Sequence, residues 1–230
     1  MNIKAVLFDL HGTLAHGETN VTSEDASDYL VSRGYAVYPQ SFDVAWGFVA
    51  FIDYPKYGYR TYRSYLRRIL WRLSVRVDQE TLKGLARMFK RGRYELYPDA
   101  ADAVKTAKEH GFKTTVVTTI ARFKFAEALK PIEKHFDVVV TGYEAGCEKT
   151  NPRMYKKALE FLKVKANEAV MIGDNLKIDV LLPKKLGIHA ILLDRSGTTE
   201  ESHHADAVAT DLRQAVEIVA RWSKRRQAKS

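Results

Sequence analysis

The stretch VLFDLHGTLA, residues 6–15, ends an apolar run with an acid and places a histidine two positions later. The apolar residues predict a buried strand that ends at Asp9, and Gly12 with Thr13 favours a turn after it. A lone acid after a strand is most often a turn former. The nearby His11 raises the question of which chemistry would use a carboxylate and an imidazole together at a strand end.

Other polar side chains occur where later strands are predicted to end. A single such residue is weak evidence for a functional site, but several occur along most of the chain. They are Thr118 and Thr119 after strand 112–117, Lys149 in the loop after strand 136–142, and Asp174 with Asp179 after strand 169–173.

In a parallel sheet, all of these strands would deliver their final residues to the same edge, where open α/β sheets bind ligands. Asp9 and Asp174 would repel each other there, so the arrangement calls for a cation, and carboxylate oxygens suit Mg²⁺. Thr118 would offer a hydroxyl and an amide to the oxygens of an anion, and Lys149 a fixed positive charge. The residues therefore predict a site for a phosphoryl group beside a metal ion.

The elements that must position this site alternate between helix and strand from Tyr97 onward. Apolar strands separated by helices predict an α/β fold with a parallel sheet covered on both faces. The predicted strands are 112–119, 136–142, 169–173, 189–194 and 206–209, and the predicted helices are 98–111, 121–134, 152–164, one that ends at Gly187, and 211–225.

Residues 20 to about 95 break this alternation and contain no convincing strand. We interpret them as a helical insertion placed directly after the first strand. Tyr59, Tyr62, Leu66, Ile69 and Leu73 are spaced to share one helix face, which predicts the core of a helix bundle. Trp46 and Trp71 are assigned to the same core. The four predicted helices are 23–32, 41–52, 57–73 and 78–90.

Positive charge is concentrated in this insertion. The chain carries a net charge of +9, whereas residues 56–93 hold twelve Lys or Arg against two acids. Such a block favours acidic partners, among them phosphates and nucleic acid. We interpret the arginine face mainly as a solvated surface, with one or two side chains able to reach the far end of a phosphate ester.

Composition narrows the remaining classes. The chain has 230 residues, is 46% hydrophobic and contains a single cysteine, Cys147, which excludes an internal disulfide framework and suits a reducing cytoplasm. No apolar run approaches the roughly 18 residues that a membrane span needs. The N-terminal stretch lacks a small-residue cleavage site and is interpreted as a core strand. We expect a cytoplasmic protein with no membrane partner.

The segment DLHGT at 9–13, Thr118, Lys149 and Gly173-Asp174 with Asp179 resemble, in order and spacing, the four motifs of the haloacid dehalogenase-like hydrolase superfamily. The resemblance covers nearly the whole chain. It implies a Rossmann-like core formed by residues 1–16 and 96–230, and an inserted all-helical cap of the C1 type formed by residues 17–95.

The resemblance also implies roles for individual residues. Asp9 would be a nucleophile that forms an aspartyl-phosphate, with Lys149 neutralising charge beside it. Mg²⁺ would lie between Asp9, the backbone carbonyl of His11 and Asp174, and Asp179 would steady its water shell or pair with Lys149. The residues expected to bind substrate or phosphate are Gly12, Thr13, Thr118, Thr119 and Lys149.

His11 departs from the family pattern. Phosphatases of the family usually carry a second Asp there, as the acid and base for the leaving oxygen and the attacking water, whereas dehalogenases carry an aromatic residue. An imidazole, with an ordinary pKa of about 6.5, can perform both proton transfers. Two other interpretations stay open: a structural remnant with slow turnover, or a shifted substrate range. Thr150 and Thr119 also depart, standing where Pro and Asn are frequent.

The sequence therefore predicts a Mg²⁺-dependent phosphatase acting on a small phosphorylated metabolite. One alternative is a 2-haloacid dehalogenase, whose chemistry needs no metal and whose fourth motif generally lacks the Gly-Asp acid. Another is a non-catalytic binder of nucleic acid or another anion through the basic insertion. No nucleic-acid-binding motif is present, and a binder would have no use for the acids of a metal site.

Overall fold

The computed structural model describes residues 1–18, 21–198 and 204–227, and these contain eight strands. Six of them form one sheet and two form a separate ribbon. The strands are β1 (Ala5–Phe8), β2 (Ala15–Glu18), β3 (Arg93–Leu96), β4 (Lys113–Val117), β5 (Val138–Val140), β6 (Ala169–Gly173), β7 (His189–Leu193) and β8 (Ala207–Ala209).

The main sheet has the order β5-β4-β1-β6-β7-β8, and every neighbouring pair is parallel. This confirms the predicted Rossmann-like sheet. The first strand is central because its four residues are completely buried and hydrogen-bond on both sides. Phe8 is level with Val116 of β4 and with Ile172 of β6, so the residues after these three strands emerge next to one another.

The strands β2 and β3 form an antiparallel ribbon in which Ala15 pairs with Leu96 and Glu18 with Arg93. The expectation that residues 20–95 lack a strand is therefore wrong at their C-terminal end. Four residues with alternating half-buried and exposed side chains give too short a pattern to reveal a strand. The proposed boundaries at 16/17 and 95/96 both fall inside this ribbon, and the division into core and cap stays a prediction.

Eleven α-helices lie within the described residues, and two π-helical turns, Val49–Asp53 and Leu176–Leu181, adjoin α2 and α10. In the core, α6 and α11 cover one face of the sheet and α9 covers the other. The helices are α1 (Ser23–Val31), α2 (Pro39–Phe48), α3 (Tyr54–Tyr57), α4 (Tyr62–Arg72), α5 (Gln79–Arg91), α6 (Ala100–Glu109), α7 (Arg122–Leu129), α8 (Gly142–Ala145), α9 (Arg153–Leu162), α10 (Leu182–Lys185) and α11 (Leu212–Gln227).

Four predicted helices are divided in the structure, and one of them, expected at 41–52, changes from α2 to the π-helical turn at Val49. The helix expected at 57–73 is interrupted at Gly58, which has φ +60°, and Thr61 then caps α4 through the amide of Ser64. The helix expected at 121–134 ends at Leu129 and is followed by a 3₁₀ turn at Glu133–His135. The helix ending near Gly187 is a π-helical turn followed by α10.

Helices α1 to α5 pack around an apolar cluster that includes Leu30, Phe42, Leu66 and Leu85. On α4 the buried side chains are Tyr65, Leu66, Ile69 and Leu70, so the buried face is rotated from the predicted stripe. Tyr62 and Leu73 are only partly buried against the cluster. The rotation is possible because Tyr59 precedes α4 and does not share its helical phase.

Trp46 packs against this cluster as predicted, but Trp71 does not. Its side chain is 63% exposed, and the guanidinium of Arg68 lies 3.9 Å from the centre of its ring. The assignment of Trp71 to the core is therefore wrong. Trp71 follows buried Leu70 on the helix, and its ring lies at the surface against the side chain of Arg68. This cation–π contact covers one face of the exposed ring.

The arginine face of α4 is exposed at Arg63 and Arg67, as is Arg60 just before the helix. Half-buried Arg68 and Arg72 behave differently, because both donate hydrogen bonds to the Asp53 carboxylate. These contacts hold the π-helical turn against α4. Among the described residues, no helix combines the length and hydropathy needed to cross a membrane.

Candidate active site

The sheet places three carboxylates at its carboxyl edge. The Asp9 amide donates a hydrogen bond of 2.9 Å to the carbonyl of Ile172, which fixes the residue after β1 beside the end of β6. Asp9, Asp174 and Asp179 each offer one oxygen, and these oxygens all lie within 4.8 Å of one another. Residues separated by up to 170 positions in the chain therefore meet in one acidic cluster.

Lys149 lies between two of these acids. Its ammonium contacts Asp9 Oδ1 and lies 2.6 Å from Asp179 Oδ1. The three side chains are almost completely inaccessible to solvent, at 10% for Asp9, 3% for Lys149 and 1% for Asp179. A buried charge needs a partner, and here a single cation serves two carboxylates.

Burial and charge act in opposite directions on these groups. Burial raises the pKa of Asp9 above its ordinary value, although the charge of Lys149 works against it. Burial likewise raises the pKa of Asp179, to about 6. Burial opposes the charged form of Lys149, but Asp179 and Asp9 outweigh it and raise the Lys149 pKa. With Asp174 included, the cluster holds three carboxyl groups and one ammonium, so its acids outnumber its cations.

Asp174 lies at the open side of the cluster, where its residue is exposed. Desolvation by neighbouring atoms, and then the charge of Asp179, raise its pKa. The hydroxyl of buried Thr13 donates to Asp174 Oδ1 at 3.3 Å. Gly12 is required here for two reasons: its φ is +80°, and a Cβ atom would overlap the Asp174 carboxylate.

Asp179 is placed by the turn that follows β6. Its carboxylate accepts a hydrogen bond of 3.1 Å from the Asn175 amide, while the Asn175 side chain accepts from the amides of Lys177 and Ile178. A Cβ atom on Gly173 would collide with the Asp179 side chain. Glycine at the end of β6 thus lets the second acid of this segment fold back against the strand end.

The donor set fits a hard divalent cation. Three carboxylates, of which only two share a lysine, leave negative charge at the edge of the sheet, and Mg²⁺ prefers oxygen ligands of this kind. Both oxygens of completely buried Asp179 are engaged, Oδ1 by Lys149 and Oδ2 by the Asn175 amide, so Asp9 and Asp174 are the carboxylates best able to supply direct ligands. The carbonyl of His11 as a further ligand stays a prediction.

Thr118 and Thr119 lie just beyond β4, on the side of Asp9 opposite Asp174. The Thr118 amide donates to the carbonyl of Val140 at 3.0 Å, so its expected use as an anion donor is wrong: β5 pairing consumes it. The hydroxyl accepts a bond of 3.2 Å from the Ile120 amide and keeps its own proton to donate. The phosphate-binding roles of both threonines stay predictions.

The His11 side chain is exposed, and its ring meets that of Tyr94 edge-on at 6.1 Å between centroids. Tyr94 belongs to β3, the strand that the sequence did not predict. The histidine is thus free to face a ligand while one side of its ring is supported by the ribbon. Its role as an acid and base stays a prediction.

Arg195 is a functional candidate that the sequence reasoning missed. From the loop after β7 it donates to the Thr13 carbonyl at 2.8 Å and makes two bonds of 3.0 Å to Asp99, while its guanidinium stacks 3.9 Å from the ring of Tyr97. It thereby ties the loop after β1 to the start of α6. A signal was available, because the strand predicted at 189–194 also ends at the carboxyl edge.

A tyrosine of the helical insertion contacts the edge of the core directly. Buried Tyr54 shares a hydrogen bond of 2.8 Å with the hydroxyl of Thr141 and accepts one of 3.2 Å from the Arg122 amide. Thr141 directly follows β5, and Arg122 begins α7, the helix after β4. The insertion is therefore held against this part of the carboxyl edge of the main sheet.

Comparison with known proteins agrees with this geometry. Residues 3–187 match the model of the haloacid dehalogenase-like hydrolase family. The glyceraldehyde 3-phosphate phosphatase of Pyrococcus furiosus is 25% identical over 230 residues, which cover 95% of this chain and 94% of that protein. The ribulose-1,5-bisphosphate 5-phosphatase of Halopiger xanaduensis is 34% identical over 119 residues, and the match spans about half of each chain, 50% and 49%.

Solved structures show the same fold. The 2-haloacid dehalogenase from Pseudomonas syringae pv. Tomato DC3000 superimposes with a TM-score of 0.73 at 22% identity, covering 96% of this chain and 99% of the other. A HAD phosphatase from Thermococcus onnurineus gives a TM-score of 0.66 at 22% identity, covering 94% and 98%. A protein named as a dehalogenase and one named as a phosphatase share this architecture, so the fold alone does not identify the reaction.

Proposed function

Because this chain belongs to the haloacid dehalogenase-like hydrolase family, we propose that it is a Mg²⁺-dependent phosphatase that hydrolyses a small phosphomonoester through an aspartyl-phosphate at Asp9. The observation that carries the proposal is that oxygens of Asp9, Asp174 and Asp179 lie within 4.8 Å of one another, with Lys149 paired to Asp9 and Asp179. The names of the phosphatase relatives support the same reaction class. The single cysteine supports a cytoplasmic location.

Asp9 and Asp174 would hold the metal ion, with the carbonyl of His11 as a third ligand and Asp179 steadying the surrounding water. A bound Mg²⁺ supplies positive charge that reduces the repulsion between the phosphate and an attacking carboxylate. Thr13 would orient Asp174 through its hydroxyl, and Arg195 would fix Thr13 in turn. This chain of contacts would hold the Asp174 carboxylate in a fixed orientation toward the metal ion.

In the first step, an Asp9 oxygen attacks phosphorus and the bond to the ester oxygen breaks, its electron pair leaving with that oxygen. Lys149 holds Asp9 Oδ1, which leaves the second oxygen of the carboxylate for the attack. Thr118, Thr119 and the Gly12-Thr13 turn would bind the phosphoryl oxygens. The leaving oxygen takes a proton from His11.

In the second step, water attacks the phosphorus of the aspartyl-phosphate. His11, now neutral, accepts the proton of that water, and the bond between phosphorus and the Asp9 oxygen breaks. Inorganic phosphate leaves, and Asp9 is again a carboxylate paired with Lys149. The pair of steps returns His11 to its starting protonation state and consumes one water.

The dehalogenase alternative is less well supported by this site. Displacement of a halide from carbon needs no cation beside the nucleophile, whereas Asp174 lies in the same acidic cluster as Asp9 and is oriented by Thr13. An acid at this position would repel the attacking carboxylate unless a cation is bound between them. The alternative of a non-catalytic anion binder depends on the basic insertion. Binding there would give no reason to retain the acidic cluster.

The test is turnover of p-nitrophenyl phosphate by the purified protein with Mg²⁺ and after its removal with EDTA. We expect activity only with the metal, and a loss of at least about 10³-fold for Asp9→Asn, because an amide cannot act as the nucleophile. Glu127→Gln, which removes an exposed acid of α7, is the matched control and should retain wild-type turnover.

Undiminished turnover in Asp9→Asn would remove Asp9 as the nucleophile. Release of chloride from 2-chloropropionate in EDTA, without phosphatase activity, would replace the proposed function by the dehalogenase alternative.

A further inference from the structure

A cavity of about 270 Å³ lies between the helical insertion and the core. Among the residues predicted to bind substrate, phosphate or metal, it is lined by Thr119 alone, which adjoins Thr118 at the end of β4. The cavity therefore begins where the predicted phosphate site ends. Its interpretation rests on the proposed function, since a phosphatase must accommodate the part of its substrate that leaves.

Aromatic side chains form much of the wall, contributed by the insertion, the ribbon and the core. Trp46, Tyr65 and Phe89 come from three helices of the insertion, and Tyr94 comes from β3. Arg93 and Lys124 add two cations, and no aspartate or glutamate is among the described residues that line the cavity. Such a wall suits a ligand with an apolar or planar body and a negative charge.

Lys124 is the unusual member of this wall. Its ammonium lies 4.1 Å from the ring centre of Trp46 and 4.6 Å from that of Tyr65. No carboxylate pairs with it among the ion pairs of the described residues, in contrast to Lys149. Burial lowers the pKa of Lys124 to about 7. Cation–π contacts offset only part of this desolvation, so the ammonium would gain from an anionic partner.

The cavity is connected to the reacting groups by two side chains. Tyr94 lines the cavity and contacts the ring of His11, the residue proposed to protonate the leaving oxygen. Thr119 lines it from the side of the predicted phosphate site. A leaving group whose ester oxygen is next to His11 would therefore extend past Tyr94 into the aromatic wall and toward Lys124.

We propose that this cavity binds the leaving group of the substrate, and that this group carries an anionic substituent such as a carboxylate on an apolar or aromatic body, paired with Lys124. The substrate class is thus an acidic phosphomonoester, with one anion at the catalytic acids and a second at the far end of the molecule. Lys124 acts as a specificity residue that recognises the second anion and takes no part in bond cleavage.

The test compares two nearly isosteric esters, 4-carboxyphenyl phosphate and 4-carbamoylphenyl phosphate, which differ in the charge at the far end. The ratio of their kcat/KM values is the readout. We expect the wild-type protein to favour the carboxylate by about tenfold to a hundredfold, the range of a charge-assisted hydrogen bond. A ratio measured within one protein does not depend on the fraction of enzyme that is folded.

Lys124→Met keeps an unbranched stem against Trp46 and Tyr65 but removes the charge, and we expect its ratio to fall to about one-tenth of the wild-type ratio or lower. Lys124→Arg keeps the charge and should retain the preference for the carboxylate. Lys130→Met is the matched control, because Lys130 is exposed just after α7 and does not line the cavity. It should leave the ratio unchanged.

The outcomes separate the inference from the proposed function. Hydrolysis of both esters with the same ratio in wild type and Lys124→Met would overturn the inference and leave the phosphatase intact. If neither ester nor p-nitrophenyl phosphate is hydrolysed, the proposed function fails. Binding of 4-hydroxybenzoate, followed by calorimetry, then decides the inference on its own: it should weaken at least tenfold in Lys124→Met, and equal affinity would contradict it.

Discussion

Lys149 and Lys124 have opposite surroundings. Lys149 is buried between Asp9 and Asp179, which raise its pKa against the effect of burial. Lys124 is held over the rings of Trp46 and Tyr65, where burial lowers its pKa to about 7. The surroundings thus favour the charged form of Lys149 and disfavour the charged form of Lys124.

The difference between the two lysines indicates that the acidic cluster and the cavity would recognise different parts of a substrate. The core has an excess of acids that one lysine does not balance, which suits a divalent cation and, through it, a phosphate. The cavity has cations and aromatic rings without a lining acid, which suits the remainder of an acidic substrate. Under the two proposals, catalysis and substrate specificity would depend on separate sets of residues that adjoin at Thr119.

The largest expected effect is that of Lys149→Met. Removal of this ammonium should lower kcat by about 10²–10³-fold, the usual cost of losing one electrostatic contact to the reacting groups. It also leaves Asp9 and Asp179 buried without a cation, so the free energy of unfolding should fall by about 3–5 kcal/mol at pH 7. Phosphatase kinetics and urea denaturation measure the two effects.

The loss of stability should depend on pH in a defined direction. Acids whose folded pKa is raised stabilise the fold in their protonated form, and that stability is lost as the pH rises through the folded pKa. Asp179 has a pKa of about 6 beside Lys149, and without the lysine it should titrate higher. The destabilisation should therefore shrink as the pH falls from 7 to 5.

Lys156→Met, which removes an exposed lysine of α9, is the matched control and should change neither kcat nor stability. Wild-type turnover in Lys149→Met would contradict the proposed catalytic role of Lys149, which distinguishes it from Lys124.

A smaller effect is expected at His11. His11→Ala should lower the rate by about 10²-fold, the lower end of the contribution of a positioned acid and base. His11→Asp should keep or raise the rate and move the optimum to lower pH, since an ordinary Asp has a pKa of about 3.9. Profiles of kcat/KM against pH measure both. If His11→Ala matches the wild type at every pH, the imidazole performs no proton transfer.

Much of the site could be predicted because parallel strands collect their final residues at one edge. That rule is independent of side-chain packing, and it places Asp9, Asp174 and Thr118 together from strand positions alone. Lys149 and Asp179 were found by motif spacing. Gly12 and Gly173 agree with this arrangement, since each leaves space for the carboxylate of a nearby aspartate.

What escaped prediction depends on contacts between distant or short elements. The ribbon of β2 and β3 contains four residues on each side, too few for a periodic pattern. Trp71 follows the buried face by one position, so a rotation of α4 exposes it. Arg195 follows a predicted strand end, but its bonds to Thr13 and Asp99 join segments that are distant in sequence. Lys124 has no distinctive neighbours in sequence, and its contacts with Trp46 and Tyr65 arise only when α7 packs against the insertion.

Calorimetric titration of the substrate-free protein with MgCl₂ measures whether Asp9 and Asp174 share one divalent cation. We expect one Mg²⁺ per chain, with affinity lowered at least about tenfold in Asp174→Asn and unchanged in Glu127→Gln. Binding of equal strength in wild type and Asp174→Asn, or a wild-type protein that binds no Mg²⁺, would contradict it.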